Sequence, residues 1–428
     1  MAREMKESGI EWIGEIPKDW KIERNKNAFS CSKEIVGSQS SETQLLSLTT
    51  RGVKQKGQDV LGGKLPETFD TYQCVEKDDL IMCLFDLDCS AVFSGISPYS
   101  GMISPAYKVL KCKDCIVPTF ADYWFSFVFV DRKFKTYAKN LRYTLTYEEF
   151  STLPVITPPL EEQQAIADFL DKKCAEIDSV IEQTKATIEE YKKLKQSVIT
   201  EAVTKGIRGA RPMKDSGIEW IGDIPSEWKA VRFKNAIQSL SKGSGITKEE
   251  IVENGDTPCV RYGEIYTKYN YSFNECSTRT NKDIIQPRKY FYYGDILVVC
   301  TGELVEEIGK SIVYLGNEEC LAGGDIIVVS HSQNPSFLNY AFNSTYAQAQ
   351  KSCSKSKLKV VHISASDISN VLIALPTLEE QEEIANYLDQ KCLEIDTLIE
   401  KKTQLLEEME TLKKSIIFEY VTGKKEVL

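Results

Sequence analysis

The peptide ESGIEWIGEIPKDW (Glu7 to Trp20) returns as DSGIEWIGDIPSEW (Asp215 to Trp228), 208 residues later. A second pair follows in the same order. PLEEQQAIADFLDKKCAEID (Pro159 to Asp178) matches TLEEQEEIANYLDQKCLEID (Thr377 to Asp396) at an offset of 218. The likeness continues weakly through KQSVITEAVTKG (Lys195 to Gly206) and KKSIIFEYVTGK (Lys413 to Lys424). Self-similarity at a fixed spacing marks a duplicated structural unit. Only the ends of each unit match closely, and the middles barely resemble each other. A frame written twice with different contents suggests two related jobs with two different targets.

The closing segment of each copy reads as one long helix. After Pro158, apolar residues fall at Leu170, Cys174, Ile177, Ile181, Ile188, Tyr191, Leu194 and Val198. The second copy has Leu388, Cys392, Ile395, Ile399, Leu406, Met409, Leu412 and Ile416. Steps of three and four residues trace a stripe close to a heptad seam, interrupted only at Thr184 and Lys402. Gly206 and Gly423 supply stop signals. A helix of about 45 residues is roughly 65 Å long, too long for its stripe to be covered by one small domain. The stripe needs a helical partner, and the duplicated order favours the other copy, running antiparallel. Two separate hairpins or an intermolecular coiled coil are the alternatives. The repeated tryptophan peptide reads as a clip joining each domain to the helix pair, or as an ordinary amphipathic start to each domain.

The expected fold class is therefore α+β, with two α/β domains in a pseudo-two-fold arrangement, separated by two long helices forming an antiparallel coiled coil. The parts are residues 1–158, 159–209, 210–376 and 377–428. Strand-like runs with Gly-rich turns include Thr43 to Thr50, Asp79 to Leu87, Ala106 to Cys112, Gly294 to Gly302 and Gly324 to Ser330.

Composition narrows the compartment and the chemistry. The thirteen cysteines are scattered, which reads as reduced thiols in a cytosol. No apolar run is long enough to span a bilayer; YWFSFVFV (Tyr123 to Val130) is the greasiest stretch. The start is polar, without a secretory pattern, so a cytoplasmic protein with no membrane association is expected. One CxxC, Cys112 to Cys115, lacks the further ligands that zinc needs in a chain with two histidines. The net charge is −10, but residues 377–428 hold 7 basic against 13 acidic residues and carry most of the excess. The two large segments are near neutral and could each present a basic face. NPSF (Asn334 to Phe337) resembles an adenine-methyltransferase loop, but SKGSGITK (Ser241 to Lys248) follows no clear strand and lies in the wrong order for the matching cofactor site. No phosphate-binding GxxxxGK[ST] loop and no nuclease-like acidic cluster occurs.

With both motif pairs in hand, the chain resembles the specificity subunit of a Type I restriction–modification system. The likeness rests on the repeated tryptophan peptide, on LPVITPPLEEQQAIADFLD (Leu153 to Asp171) and VLIALPTLEEQEEIANYLD (Val371 to Asp389), and on AVTKGIRG (Ala202 to Gly209). It covers the full length; Thr377 stands where the first copy has Pro159. The resemblance implies a non-catalytic DNA-binding subunit with two target recognition domains, each reading one half of a split double-stranded DNA site. The helices would act as spacer and as platform for two modification subunits. Those subunits, not this chain, would bind S-adenosylmethionine and methylate adenine, and restriction/translocase subunits would complete the complex. A single-chain modification enzyme and a coiled-coil adaptor that binds only protein are the rival readings.

Base edges need donors and acceptors, and phosphates need Lys and Arg. In the first domain the candidates are Arg51, Lys54 and Lys56, then Arg132, Lys133, Lys135, Lys139, Arg142 and Tyr143. In the second they are Arg261, Tyr262 and Lys268, then Lys351, Lys355, Lys357 and Lys359. The 218 offset aligns Lys139 with Lys357, so the two basic stretches stand equally far before their helices. The seam residues expected to hold the helices are Leu170, Ile177, Ile181 and Ile188, with Leu388, Ile395, Ile399 and Leu406.

Overall fold

The computed structural model describes residues 3–57, 68–130, 132–138, 140–302, 308–353 and 361–427. The chain divides into two compact units, Met1–Lys185 with Gln404–Leu428, and Ala186–Thr403. Each unit contains the start of one long helix and the end of the other.

The middles, so unlike in sequence, repeat one topology. In the first unit a four-stranded sheet has the order Gly52–Lys56, Leu45–Thr49, Gly101–Ile103, Gln73–Val75, with its central pair parallel. In the second unit the order is Thr278–Thr280, Thr257–Val260, Cys320–Ala322, Tyr290–Phe291, again with a parallel central pair. A second, antiparallel sheet accompanies each: Phe29–Cys31, Lys108–Cys112, Leu80–Met82 and Ser94–Ile96 in the first unit. Its counterpart runs Ile237–Lys242, Ile326–His331, Ile296–Val299, Ser311–Tyr314, with Ser272–Phe273 added in parallel at the edge. The apolar run after Pro118 is a helix, Pro118–Val130, not a strand. It buries Phe120, Trp124, Phe125, Phe127 and Val128, because a helix apolar on nearly every side is stable only inside a core. Its counterparts are the helices Pro335–Phe342 and Thr345–Ser352.

The long helices span Leu160–Lys205 and Leu378–Val421. Leu170, Ile177, Ile181 and Ile188 are buried, as are Leu388 and Ile395, while Ile399 and Leu406 are half-buried. Two stripe positions differ from the expected seam. Leu194 is 49% and Leu412 42% exposed, and the next residue in each copy, Lys195 or Lys413, turns inward instead. In the first unit Lys413 Nζ meets Asp178 at 2.6 Å, and Phe169 meets Tyr420 at 4.4 Å between centroids. In the second, Lys195 Nζ meets Asp396 at 2.6 Å and Arg208 meets Glu383 at 2.8 Å. Within each unit the paired residues advance in opposite directions, so the segments are antiparallel. Asp178 and Asp396 are equivalent at the 218 offset, as are Lys195 and Lys413, so one bridge is made twice. Among the described residues no helix is long and apolar enough to cross a membrane.

Candidate nucleic-acid interface

The repeated peptide is bonded to the repeated helix start. Trp20 and Trp228 are buried, and their indole N–H groups donate to Glu162 Oε2 at 2.9 Å and Glu380 Oε2 at 2.8 Å. Arg3 and Arg211 lie over these rings at 5.5 and 5.2 Å and pair with the same two carboxylates. The Glu-Glu-Gln sequence thereby acquires separate roles. Its second Glu holds the tryptophan peptide, and its Gln holds the domain. The Gln163 side chain accepts from Val117 N–H and donates to the carbonyls of Cys115 and Pro158. Gln381 accepts from Asn334 N–H and donates to Pro376 O and Gln333 Oε1. The helix ends complete the joint. Gly206 and Gly423 have φ of +75° and +70°, and a Cβ on Gly423 would stand 2.4 Å from Pro17 Cδ. Only glycine fits both the left-handed turn and that approach. Asn334 of the NPSF peptide caps the helix Pro335–Phe342 by accepting from Phe337 N–H at 3.0 Å, a structural role.

Thus anchored, each unit carries an arginine just beyond the same strand of the fold, Arg51 in a hairpin turn and Arg261 at the start of a short helix. Arg51 follows the strand Leu45–Thr49 and Arg261 follows Thr257–Val260, the strands that pair in parallel at the centre of the two equivalent sheets. Arg51 is exposed, with Lys54 exposed and Lys56 half-buried beside it. Arg261 is half-buried; its Nε is buried with no hydrogen-bond partner among the described residues. It lines a cavity of about 540 Å³ with Lys248, Tyr262, Glu264, Lys268 and Asp325. Gly243 and Gly323 let the walls close up: a Cβ on Gly243 would fall 2.1 Å from Gly323 O, and one on Gly323 2.9 Å from Val260 O. Glu264 is the buried organiser. Burial would push its carboxyl up, but bonds from Arg261 N–H, Lys268 and Thr278 outweigh that and hold it below the usual range. The cavity thus presents Arg261 and Lys248 beside a Glu264 already paired with Lys268, with Asp325 as a second carboxylate in the lining. Lys248 was not among the sequence candidates. Its SKGSGITK loop does follow a strand, Ile237–Lys242, contrary to the sequence reading.

The other candidates sort by what they already touch. Arg142 is exposed and Tyr143 half-buried. Arg132 donates to Leu87 O at 2.8 Å and Ser90 O at 3.0 Å, tying a turn together. Lys133 lies over Phe127 at 5.0 Å, and Lys135 over Tyr143 at 4.3 Å. Lys268 is held by Glu264 at 2.9 Å. Lys351 requires a correction. It is 2% exposed, and its Nζ donates to Gly309 O and Phe342 O, so its position inside the core withdraws it from any interface. Lys139, Lys355, Lys357 and Lys359 lie outside the described residues.

The duplicated frame carrying two unlike sheet pairs has counterparts among known proteins. The chain matches the type I restriction modification DNA specificity domain twice, over residues 92–190 and 225–408. It belongs to that family. The MjaVIII specificity subunit of Methanocaldococcus jannaschii is 28% identical over 287 residues, covering 64% of this chain and 63% of that one. The EcoKI specificity subunit of Escherichia coli K12 is 25% identical over 292 residues, covering 64% and 58%. The matched stretch is thus about three fifths of the length of these curated relatives. A chain from a structural study of complex assembly and conformational transition in the type I R-M system shares the fold. The TM-score is 0.68 at 17% identity, covering 96% of this chain and 99% of that one.

Proposed function

We propose that this member of the specificity family is the non-catalytic DNA-recognition subunit of a type I restriction–modification complex. Residues 1–158 read one half of a two-part DNA site and residues 210–376 read the other. Residues 159–209 and 377–428 form one antiparallel coiled coil, placing the domains in a pseudo-two-fold arrangement that sets the spacer. The observation that carries this reading is one sheet topology built twice with unlike surroundings, each copy bearing an arginine just beyond its central strand, Arg51 in the first and Arg261 in the second. Equivalent frames with unlike contents suit a site with two unlike halves.

The Arg261 guanidinium has the fork geometry that recognises guanine in a major groove, and Tyr262 offers an exposed ring beside it. Lys54, Lys56, Arg142 and Lys248 supply phosphate contacts, joined by Lys139, Lys355, Lys357 and Lys359. Platform duty falls to the helices, which expose the equivalent pairs Leu160/Leu378, Val180/Leu398 and Leu194/Leu412. Apolar side chains repeated on each copy suit two copies of one modification subunit. S-adenosylmethionine belongs to those subunits, and DNA translocation and cleavage to a restriction subunit.

The test is a chimera. Residues 210–376 are moved onto the first frame, and N6-methyladenine is mapped in a host carrying the partner subunits. One half-site should change and the other remain. A folded chimera that loses both halves would overturn the modular reading.

A further inference from the structure

The two copies of the tryptophan peptide differ at one equivalent position. Trp12 is covered by its own unit: its ring lies 5.9 Å from Trp124 and 5.9 Å from Phe127, and Phe127 lies 5.4 Å from Phe418 at the end of the second long helix. Trp220, its counterpart, is 51% exposed. The frame shows what has been removed. The place of Phe418 is held by Thr200 at the 218 offset. Phe127 falls on Ser344, at the 217 offset that also relates Val117 to Asn334 and Tyr123 to Tyr340. Beside it Thr345 takes up the contact, its Oγ1 2.9 Å from Thr200 Oγ1. A threonine pair thus replaces a phenylalanine pair. The result is a cavity of about 800 Å³ whose lining includes Lys193, Thr200, Glu201, Lys205, Trp220 and Thr345.

The first unit states the chemistry of the missing occupant, because the same volume there is filled by aromatic rings packed at an angle against the tryptophan and against each other. The rim adds charge. Lys192, Lys193 and Lys205 are all exposed around it; Lys192 is partly satisfied by Glu189 at 2.8 Å, and Glu201 is the single carboxylate in the lining. We propose that the Trp220 groove takes an aromatic side chain borne on an acidic segment of the modification subunit, a contact the first unit cannot make because its own Phe127 and Phe418 occupy the place. This rests on the recognition-subunit reading above. Its consequence is that two otherwise equivalent docking faces are unequal, and the face carrying Trp220 fills first.

Calorimetric titration of the full-length chain with its purified modification subunit tests this. Two steps should appear, the tighter one weakened at least tenfold by Trp220→Ala and the other unchanged, as expected for loss of a buried aromatic anchor. Thr200→Phe, which restores the ring of the first unit, should weaken the same step by blocking the groove. Lys193→Glu with Lys205→Glu should weaken it through repulsion. If Trp220→Ala and Thr200→Phe both bind two subunits with native constants, the groove is not the docking site, and the recognition reading stands. A Trp220-dependent self-association of the chain, or a Trp220→Ala loss confined to DNA affinity, would equally overturn it. A native chain that binds no modification subunit would refute the recognition reading itself.

Discussion

Replacing Glu380 by Ala tests the joint between sheet and helix against a control built into the same molecule. Glu380 and Glu162 hold the same two partners, an arginine and an indole N–H, but differ in burial. The side chains of Glu380 and Arg211 are 2% and 12% exposed, and those of Glu162 and Arg3 are 25% and 19%. Removing one partner of a buried pair costs about 3–5 kcal/mol, because the remaining charge stays buried without compensation. Arg211 keeps Glu227 at 3.1 Å and the Lys205 carbonyl at 2.9 Å, which moderates that cost. The buried Trp228 N–H loses its acceptor, for about 1 kcal/mol more. Roughly 3–4 kcal/mol is expected for Glu380→Ala. At Glu162 the pair is better solvated and Arg3 keeps Asp19 at 3.1 Å and Glu426 at 3.6 Å, so about 1–2 kcal/mol is expected. Urea unfolding followed by circular dichroism gives both values from the midpoint shift and the slope. Glu380→Gln, which retains an acceptor for the indole, should fall between. Equal costs at the two sites, or a larger cost at Glu162, would show that burial does not decide the strength of this joint.

Other outcomes follow from the geometry. Burial lowers the Lys351 amine to about 7 while an unfolded lysine titrates near 10.5. Between those values the unfolded chain binds the proton and the native state does not, so stability should climb with pH across about 7 to 10.5, by roughly 2–4 kcal/mol. Lys351→Met should flatten that slope in denaturation at a series of pH values; an unchanged slope would place the charge elsewhere. Arg261→Ala should cost about 1–3 kcal/mol at one base pair and relax one half-site only, read by competition binding against single-base variants of the site, whereas Lys248→Ala should weaken all sequences alike and reduce the salt slope by about one. Uniform weakening by Arg261→Ala would demote it to a phosphate contact. Inserting four residues after Thr184 and after Lys402 lengthens each helix by about 6 Å, which should favour a spacer one to two base pairs longer, with the half-site bases unchanged in methylation mapping. Ile177→Asp or Ile395→Asp puts an unpaired charge on a buried seam and should cost several kcal/mol in thermal unfolding; a mutant of native stability would mean the seam is open to water.

The long helices were legible because a stripe repeating every three or four residues is a local signal, readable without knowing what covers it. The same rule failed at Leu194 and Leu412 because the deciding partner is distant in sequence. The seam moves one residue along, to Lys195 and Lys413, where an aspartate of the opposite helix pairs with a buried amine in the first copy and a half-buried one in the second. That partner is 201 residues away for Lys195, so no window could show it. The paired arginines could be proposed because each directly follows an apolar run. Lys351 could not be separated from its lysine-rich neighbours, since a buried lysine leaves no trace in composition. Lys248 lines the same cavity as Arg261 because Gly243 and Gly323 let two distant loops approach, a proximity set by tertiary packing. The parallel pairing at the centre of both sheets was invisible for the same reason.

The first unit is discontinuous along the chain, and that orders events during synthesis. Residues Ala186–Thr403 form their unit from one uninterrupted stretch, whereas Met1–Lys185 require Gln404–Leu428. At about 5–20 residues per second, roughly 10–45 s separate the emergence of Lys185 from that of Gln404. Throughout that interval Pro17 and Trp20 lack the Gly423 turn that closes on them, and Phe127 lacks Phe418. The domain made first is therefore the domain finished last, and its aromatic face is the surface a nascent-chain chaperone would meet.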